Sequence, residues 1–288
     1  MFASLGSIRA CPAAPARTPQ SVVRTAARPC IKARYAGASK EELKQHLAEL
    51  TEHGVPMDDR SADLARKLTG QSNVKDPLML GMFKVNGVWH ILGSQLEYLT
   101  RGATITLQDC TFGMAAPHDL PLIVQDVAQV HGPLSGWDDG LTLDILVKTD
   151  TFNGAPLDAV FKIVVEGHFV AESGTHMHIN YSKVTVKPPR DVDMTKWREV
   201  FAANAGALQP SGNIEYVVPK TKDGWCMGAW CAADGRKPSY DIVYLDDEIK
   251  VLQGSDGAMT VMSRDRLLAE DSAWHVLTDF DKCQHYDM

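Results

Sequence analysis

The chain has 288 residues, 44% of them hydrophobic and 23% charged, and its 29 bases against 36 acids give a net charge of −7. That composition excludes a disordered or low-complexity chain and supports a sizeable core. The acidic balance argues against wrapping nucleic acid or docking on anionic membrane by charge, so any membrane contact is expected to be apolar.

The N-terminal stretch differs from the rest. Arg9, Arg17, Arg24, Arg28, Lys32, Arg34 and Lys40 are interspersed with Ala, Ser, Thr and Pro, and no Asp or Glu occurs before Glu41. This pattern predicts an organelle transit peptide over 1–38, with a disordered basic arm as the plainer reading. A secretory signal fits less well, because "MFASLG" and "SVV" are too short and too interrupted for a continuous apolar region. Ser39 and Glu42 then stand in capping-box spacing ahead of Leu43, Leu47 and Leu50, which predicts a helix. A second helix follows in "DRSADLARKLTG", with Leu64, Ala65 and Leu68 as its stripe and Gly70 as its stop. These form a helical N-terminal extension, 39–72, ahead of a main domain, 77–288.

From Pro77 to Pro188 the hydrophobic period changes to two. Candidate strands are "GMFKVNGVWHIL", "GATITLQDC", "PLIVQDVAQVHG", "LTLDILVKTD", "PLDAVFKIVVEGHFV" and "GTHMHINYSKVTVKP". Leu141, Leu143, Ile145 and Val147 alternate with polar residues, as do Leu157, Ala159, Phe161, Ile163 and Val165. Half-buried antiparallel strands in succession predict a mainly β barrel or sandwich, and the cost of unpaired edges favours closure. One late helix interrupts, "DMTKWREVFAANAG", with Asp193 as N-cap, Trp197, Val200 and Phe201 as its apolar stripe and Gly206 at its end; it is expected to cover a barrel mouth or seam. Strands resume at "NIEYVVP" and run on to "SAWHVLTDF". No apolar run reaches the length of a membrane-spanning helix.

Signatures of common enzymes are missing. There is no phosphate-binding Gly-rich loop, no G-x-G-x-x-G after a strand, no G-x-S-x-G elbow and no H-E-x-x-H, so the chain is expected to be non-catalytic. His176 and His178 share one face of a strand, with His168 on the preceding strand and Met177, Ile179 and Tyr181 on the opposite, apolar face. Surface histidines are the plainer reading and a metal site the weaker alternative, since spacing alone places no third or fourth ligand. Cys226 and Cys231 match neither zinc nor thioredoxin spacing; two buried thiols and a strained disulfide both remain open, with the reduced form as the default. Trp225, Met227 and Trp230 form an apolar loop, either a buried cap or a membrane or partner contact. Aromatics including Trp89 and Phe161 either line a luminal cavity or fill it.

The segment "SYDIVYLDDEIKVLQGSDGAMTVMSRD" reads as three strands joined by two acidic turns. Asp246, Asp247, Glu248 and Asp256 sit at the reversals and do not reproduce a calcium loop. The run Tyr244, Leu245, Asp246, Asp247, Ile249, Lys250, Val251, Gly254, Asp256, Gly257, Met259, Val261 and Met262 resembles the C-terminal signature of the plastid lipid-associated proteins, or fibrillins. "PLMLGMFKVNGVW" is a weaker echo of that family's early Gly-aromatic strand. The chain departs from the pattern at Lys250, where the family usually carries Arg, and at Gln253, where it often carries a base.

The resemblance implies a lipocalin-like antiparallel β-barrel with a helical N-terminal extension, in the chloroplast on plastoglobules, thylakoids or in stroma. It further implies association with lipids, carotenoids or prenyl quinones, without a cofactor or metal. On that footing Tyr244, Asp246 and Lys250 are expected at the barrel rim, with an Asp246–Lys250 ion pair or a contact to a ligand head, and Trp89 and Phe161 are expected at the cavity. The expected partners are apolar small molecules or a membrane or plastoglobule surface, with no nucleic acid. A second reading makes the barrel a scaffold for a chloroplast quinone-biosynthesis or photosynthetic complex. A third, an enzyme acting on an apolar isoprenoid, would draw on His168, His176 and His178 or on Asp246.

Overall fold

A computed structural model describes residues 40–69, 71, 76–78, 85–132, 139–152, 155–224, 226 and 237–264. The expected transit peptide, Ser39, Trp137, Trp225, Met227, Trp230, Cys231, Cys283 and the predicted strand "SAWHVLTDF" lie outside the described residues.

The strands are β1 (Gly87–Ser94), β2 (Thr104–Thr106), β3 (Pro121–His131), β4 (Gly140–Phe152), β5 (Ala155–Ala171), β6 (His176–Lys187), β7 (Ile214–Val217), β8 (Ser239–Leu245), β9 (Ile249–Gly254) and β10 (Met259–Ser263). Eight of them close an antiparallel circuit, β1-β10-β9-β8-β6-β5-β4-β3 and back to β1, while β2 extends β3 and β7 pairs with β6. The β1–β3 and β1–β10 ladders close the ring, and closure satisfies the edge groups that an open sheet would expose.

The core divides in two. Inside the barrel, Leu141, Leu143, Ile145 and Val147 of β4 meet Ala159, Phe161, Ile163 and Val165 of β5, the alternation predicted for these strands. Helix α4 (Met194–Val200) packs Trp197 and the following Phe201 onto Phe161, with ring centroids 5.4 and 6.3 Å away. Asp193 caps α4 as expected, its carboxylate accepting from the Thr195 and Lys196 N–H groups. The second cluster lies outside the wall, where Leu43 and Leu47 of α1 (Lys40–Glu52) and Ala62, Leu64, Ala65 and Leu68 of α2 (Asp59–Thr69) pack on Tyr244, Ile249, Val251, Met259 and Val261. Strands β9 and β10 are therefore buried on both faces.

Two details depart from the sequence reading. "GATITLQDC" is a strand only over Thr104–Thr106; Leu107–Cys110 form a short helix, α3, because Thr106 and Asp109 close a capping box. Strand β8 carries a bulge between Ile242 and Tyr244. The extra residue breaks simple alternation, so Ile242 and Leu245 join the luminal cluster while Val243 and Tyr244 pack toward the helices.

Candidate functional site: the lumen, the rim and a cleft beside helix α1

The lumen holds the larger of the two buried clusters. Trp89 is fully buried and its Nε1 donates to the Val85 carbonyl at 2.7 Å. Lys250 Nζ lies 4.9 Å and the Arg264 guanidinium carbon 4.4 Å from the Trp89 ring centroid, cation–π range. Lys250 is itself fully buried and donates to Gln129 Oε1 at 2.9 Å, the oxygen that His131 Nε2 also reaches at 2.8 Å. Burial, reinforced by the Arg264 charge, pushes the Lys250 ammonium well below its usual 10.5. Burial and then the Lys250 charge push His131 down as well, and among the described residues His131 Nδ1 has no hydrogen-bond partner. Among the described residues a void bordered by Tyr98, Gln129, Tyr181, Tyr240 and Thr260 measures about 20 Å³. That is room for about one water; Trp89 and Phe161 are both fully buried in the luminal cluster.

The rim is organised differently from the sequence expectation. Asp246 and Lys250 do not meet, because four residues of chain with a turn between them send Lys250 into the lumen and leave Asp246 outside. Asp246 Oδ1 accepts from the Glu248 and Ile249 N–H groups at 2.8 and 2.7 Å. Its Oδ2 accepts from Lys40 Nζ and from the Tyr244 hydroxyl, both at 2.8 Å. Partial burial would raise the Asp246 carboxyl, but Lys40, the Ile249 N–H, the Tyr244 hydroxyl and the Glu248 N–H outweigh it and bring it down to about 2. Burial, followed by the bond to Asp246, raises the Tyr244 hydroxyl to about 12. Glu248 completes the fence, 3.1 Å from Lys40 and 3.3 Å from Lys44. Tyr244 and Asp246 thus fasten α1 to the barrel.

Where α1 stands away from the wall it leaves a cleft of about 480 Å³. Ala48 and the half-buried Leu92 supply apolar surface, with Leu47, Ile91 and Val124 buried behind it, and Lys44, Thr51, Glu52, Arg101 and Gln125 supply polar groups. Two close approaches set its shape. A Cβ at Gly93 would lie 2.6 Å from Leu47 Cδ2, so the absence of a side chain there leaves the place that Leu47 occupies. At the end of α1, Gly54 adopts φ 63° against the Gly102 backbone, where a Cβ would come within 2.8 Å of the Gly102 oxygen. Thr51 Oγ1 adds a hydrogen bond to the Leu92 carbonyl at 3.1 Å.

The histidines separate into two places. His176 and His178 stand together outside the wall, their ring centroids 5.1 Å apart, while Met177, Ile179 and Tyr181 face the lumen as predicted. His168 does not join them; its Nε2 lies 3.5 Å from Asn180 Nδ2. Asn180 is buried under a later loop, where its Oδ1 accepts from Lys220 Nζ and the Cys226 N–H at 2.7 and 2.9 Å. Cys226 is a buried thiol with Sγ 3.9 Å from the Ile179 carbonyl oxygen.

Sequence reasoning missed Gln129 and His131 because the β3 bulge between Val124 and Asp126 shifts the alternation just before them. It missed Arg101 and Thr51 because the cleft joins a helix to distant strands. The polar pair at two-residue spacing in "AQVHG" was the one available signal for the luminal group. The chain matches no family model, no curated protein and no solved structure.

Proposed function

We propose that this protein binds an apolar small molecule without chemistry of its own, on a lipocalin-like barrel of the plastid lipid-associated type, and that it takes the ligand at the α1 cleft. The observation that carries the reading is a contrast in space among the described residues: about 480 Å³ beside α1 against about 20 Å³ in a luminal void. A cleft of the first size lies within the range of roughly 300–1,000 Å³ that small-molecule sites occupy. Its apolar floor suits an isoprenoid or acyl chain, and Lys44 and Arg101 suit a carbonyl or anionic head. The resemblance of residues 244–262 to the fibrillin signature supports lipids, carotenoids or prenyl quinones as the class, and the basic N-terminal stretch supports a chloroplast location. Among the described residues no helix is long and apolar enough to cross a membrane.

The test is mass spectrometry of material extracted from native protein, paired with the variant Ala48→Trp. Ala48 is exposed on the cleft face of α1, so the larger side chain fills the space without entering the core. A co-purifying isoprenoid or acyl lipid that is lost from Ala48→Trp supports the reading. Absence of any apolar ligand, or equal retention by the variant, overturns it.

The full burial of Trp89 and Phe161 in the luminal cluster favours a second reading, a scaffold within a chloroplast protein complex. Native protein that carries no lipid but isolates with a stoichiometric partner would establish that alternative.

A further inference from the structure

We propose that Glu172, His176 and His178 form a divalent-metal site, best suited to zinc, that clamps the β5–β6 hairpin to β8. It is independent of the ligand reading above.

The groups lie on the outside of the barrel. Glu172 follows β5, and the two histidines sit at positions one and three of β6, so their side chains emerge on the same face. The turn between them is ordered by bonds from the Glu172 and Ser173 N–H groups to the His176 carbonyl at 2.9 and 3.3 Å. Ser173 Oγ accepts from the His176 N–H at 3.0 Å. Glu172 Oε2 lies 2.9 Å from His178 Nε2 and 3.7 Å from His176 Nε2. One ligand atom from each residue falls within 4.8 Å of the other two. Tetrahedral zinc with bonds of about 2.0–2.2 Å holds its ligand atoms about 3.3 Å apart, so small side-chain rotations complete the set.

A fourth residue identifies the arrangement as more than a chance ion pair. Asp241 on β8 has Oδ1 3.0 Å from His176 Nδ1. A carboxylate on the far nitrogen fixes the ring tautomer and turns the Nε2 lone pair toward a metal, the pattern that supports zinc-bound histidine. Glu172 is 65% exposed, so a fourth coordination position stays open to water or to a ligand from a partner. The location gives the ion a structural purpose. The β6–β8 ladder runs over His176–His178 against Ser239–Asp241, the shortest ladder in the barrel circuit, with one backbone bond beyond it at each end, Ile242 N–H to the Thr175 carbonyl and Ile179 N–H to the Pro238 carbonyl, both at 2.9 Å. A metal held by the hairpin, with Asp241 bonded to it from across the join, reinforces the weakest seam.

The experiment uses the full chain, stripped with chelator and titrated with zinc chloride at pH 7.5. One equivalent is expected with a dissociation constant of about 10 µM or tighter, together with a rise in thermal midpoint. Cobalt in place of zinc is expected to give visible d–d bands without thiolate charge-transfer absorption, which separates this site from the cysteines. Glu172→Gln and His176→Gln are each expected to weaken zinc binding more than tenfold, and Asp241→Asn by about tenfold. Glu172 and Asp241 are exposed enough that these variants fold, and unchanged far-ultraviolet circular dichroism checks it. Binding weaker than about 10 µM, a thiolate signature, or variants that bind as tightly as wild type overturn the proposal.

Discussion

The two faces of the β8–β10 meander solve the same problem in opposite ways. On the luminal face a single lysine, Lys250, is fully buried against Gln129 and the Trp89 ring, with no carboxylate in salt-bridge range among the described residues. On the outer face Lys40, Lys44, Asp246 and Glu248 form paired ions in contact with water, above an apolar layer made by α1 and α2. The lumen is specified by shape and neutral hydrogen bonds, so change there is expensive. The outer layer is a helix leaning on a wall, and it can yield to a ligand at lower cost.

The largest test of that difference is Trp89→Ala, which empties the centre of the lumen. It should cost about 3–5 kcal/mol, read from urea unfolding of the full chain. Leu47→Ala removes the residue that seats α1 on Gly93; it should cost about 2–3 kcal/mol and widen the cleft. If Leu47→Ala proves the more damaging, the outer layer is the rigid one and the comparison is reversed.

Lys250→Met addresses the luminal charge directly. Exchanging a buried cation for an apolar chain of similar length should raise stability by about 1 kcal/mol at pH 7, because no carboxylate is left behind and Gln129 keeps its bond to His131. The pH dependence carries a sign. Folding lowers the Lys250 pKa below 10.5, so between the folded value and 10.5 the unfolded chain binds more protons, and stability rises with pH across that window. Lys250→Met should flatten this rise. A pH dependence there that Lys250→Met leaves unchanged would place Lys250 in solvent.

These residues also show what the sequence could and could not disclose. The barrel was legible because β4 and β5 alternate cleanly over long runs, and the late helix because Asp193 precedes an apolar stripe. The outer layer was half legible: α1 and α2 announce amphipathic stripes, but nothing local says which strands they cover. The orientation of Lys250 was the costly misreading. Ile249 and Val251 flank it, and the usual inference puts such a pair in the core and the lysine in water. Burial of both faces of β9 defeats that inference, since alternation then reports which core a side chain enters and not whether it is buried. Of the proposed metal ligands His176 and His178 were in view as the weaker reading, but their partners were not: Glu172 reaches them through a turn, and Asp241 across strands that are 65 residues apart in sequence.

The smallest effect is expected at the rim, where Asp246 can be taken apart one oxygen at a time. Asp246→Asn keeps an Oδ1 acceptor for the Glu248 and Ile249 N–H groups but loses the charge facing Lys40 and Tyr244, so it isolates the ion pair from the turn. Because the rim is wet, the loss should be about 1 kcal/mol or less at pH 7 and shrink with salt. Folding lowers the Asp246 pKa from 3.8 to about 2, so its contribution is fully present above 3.8 and disappears as pH falls through about 2. Wild type and Asp246→Asn should therefore converge in acid. Asp246→Ala, which also strips the turn of its acceptor, should remain less stable than both by about 1 kcal/mol. Should Asn and Ala instead behave alike at every pH, the turn bonds contribute nothing, and the whole effect of Asp246 lies in its bonds to Lys40 and Tyr244.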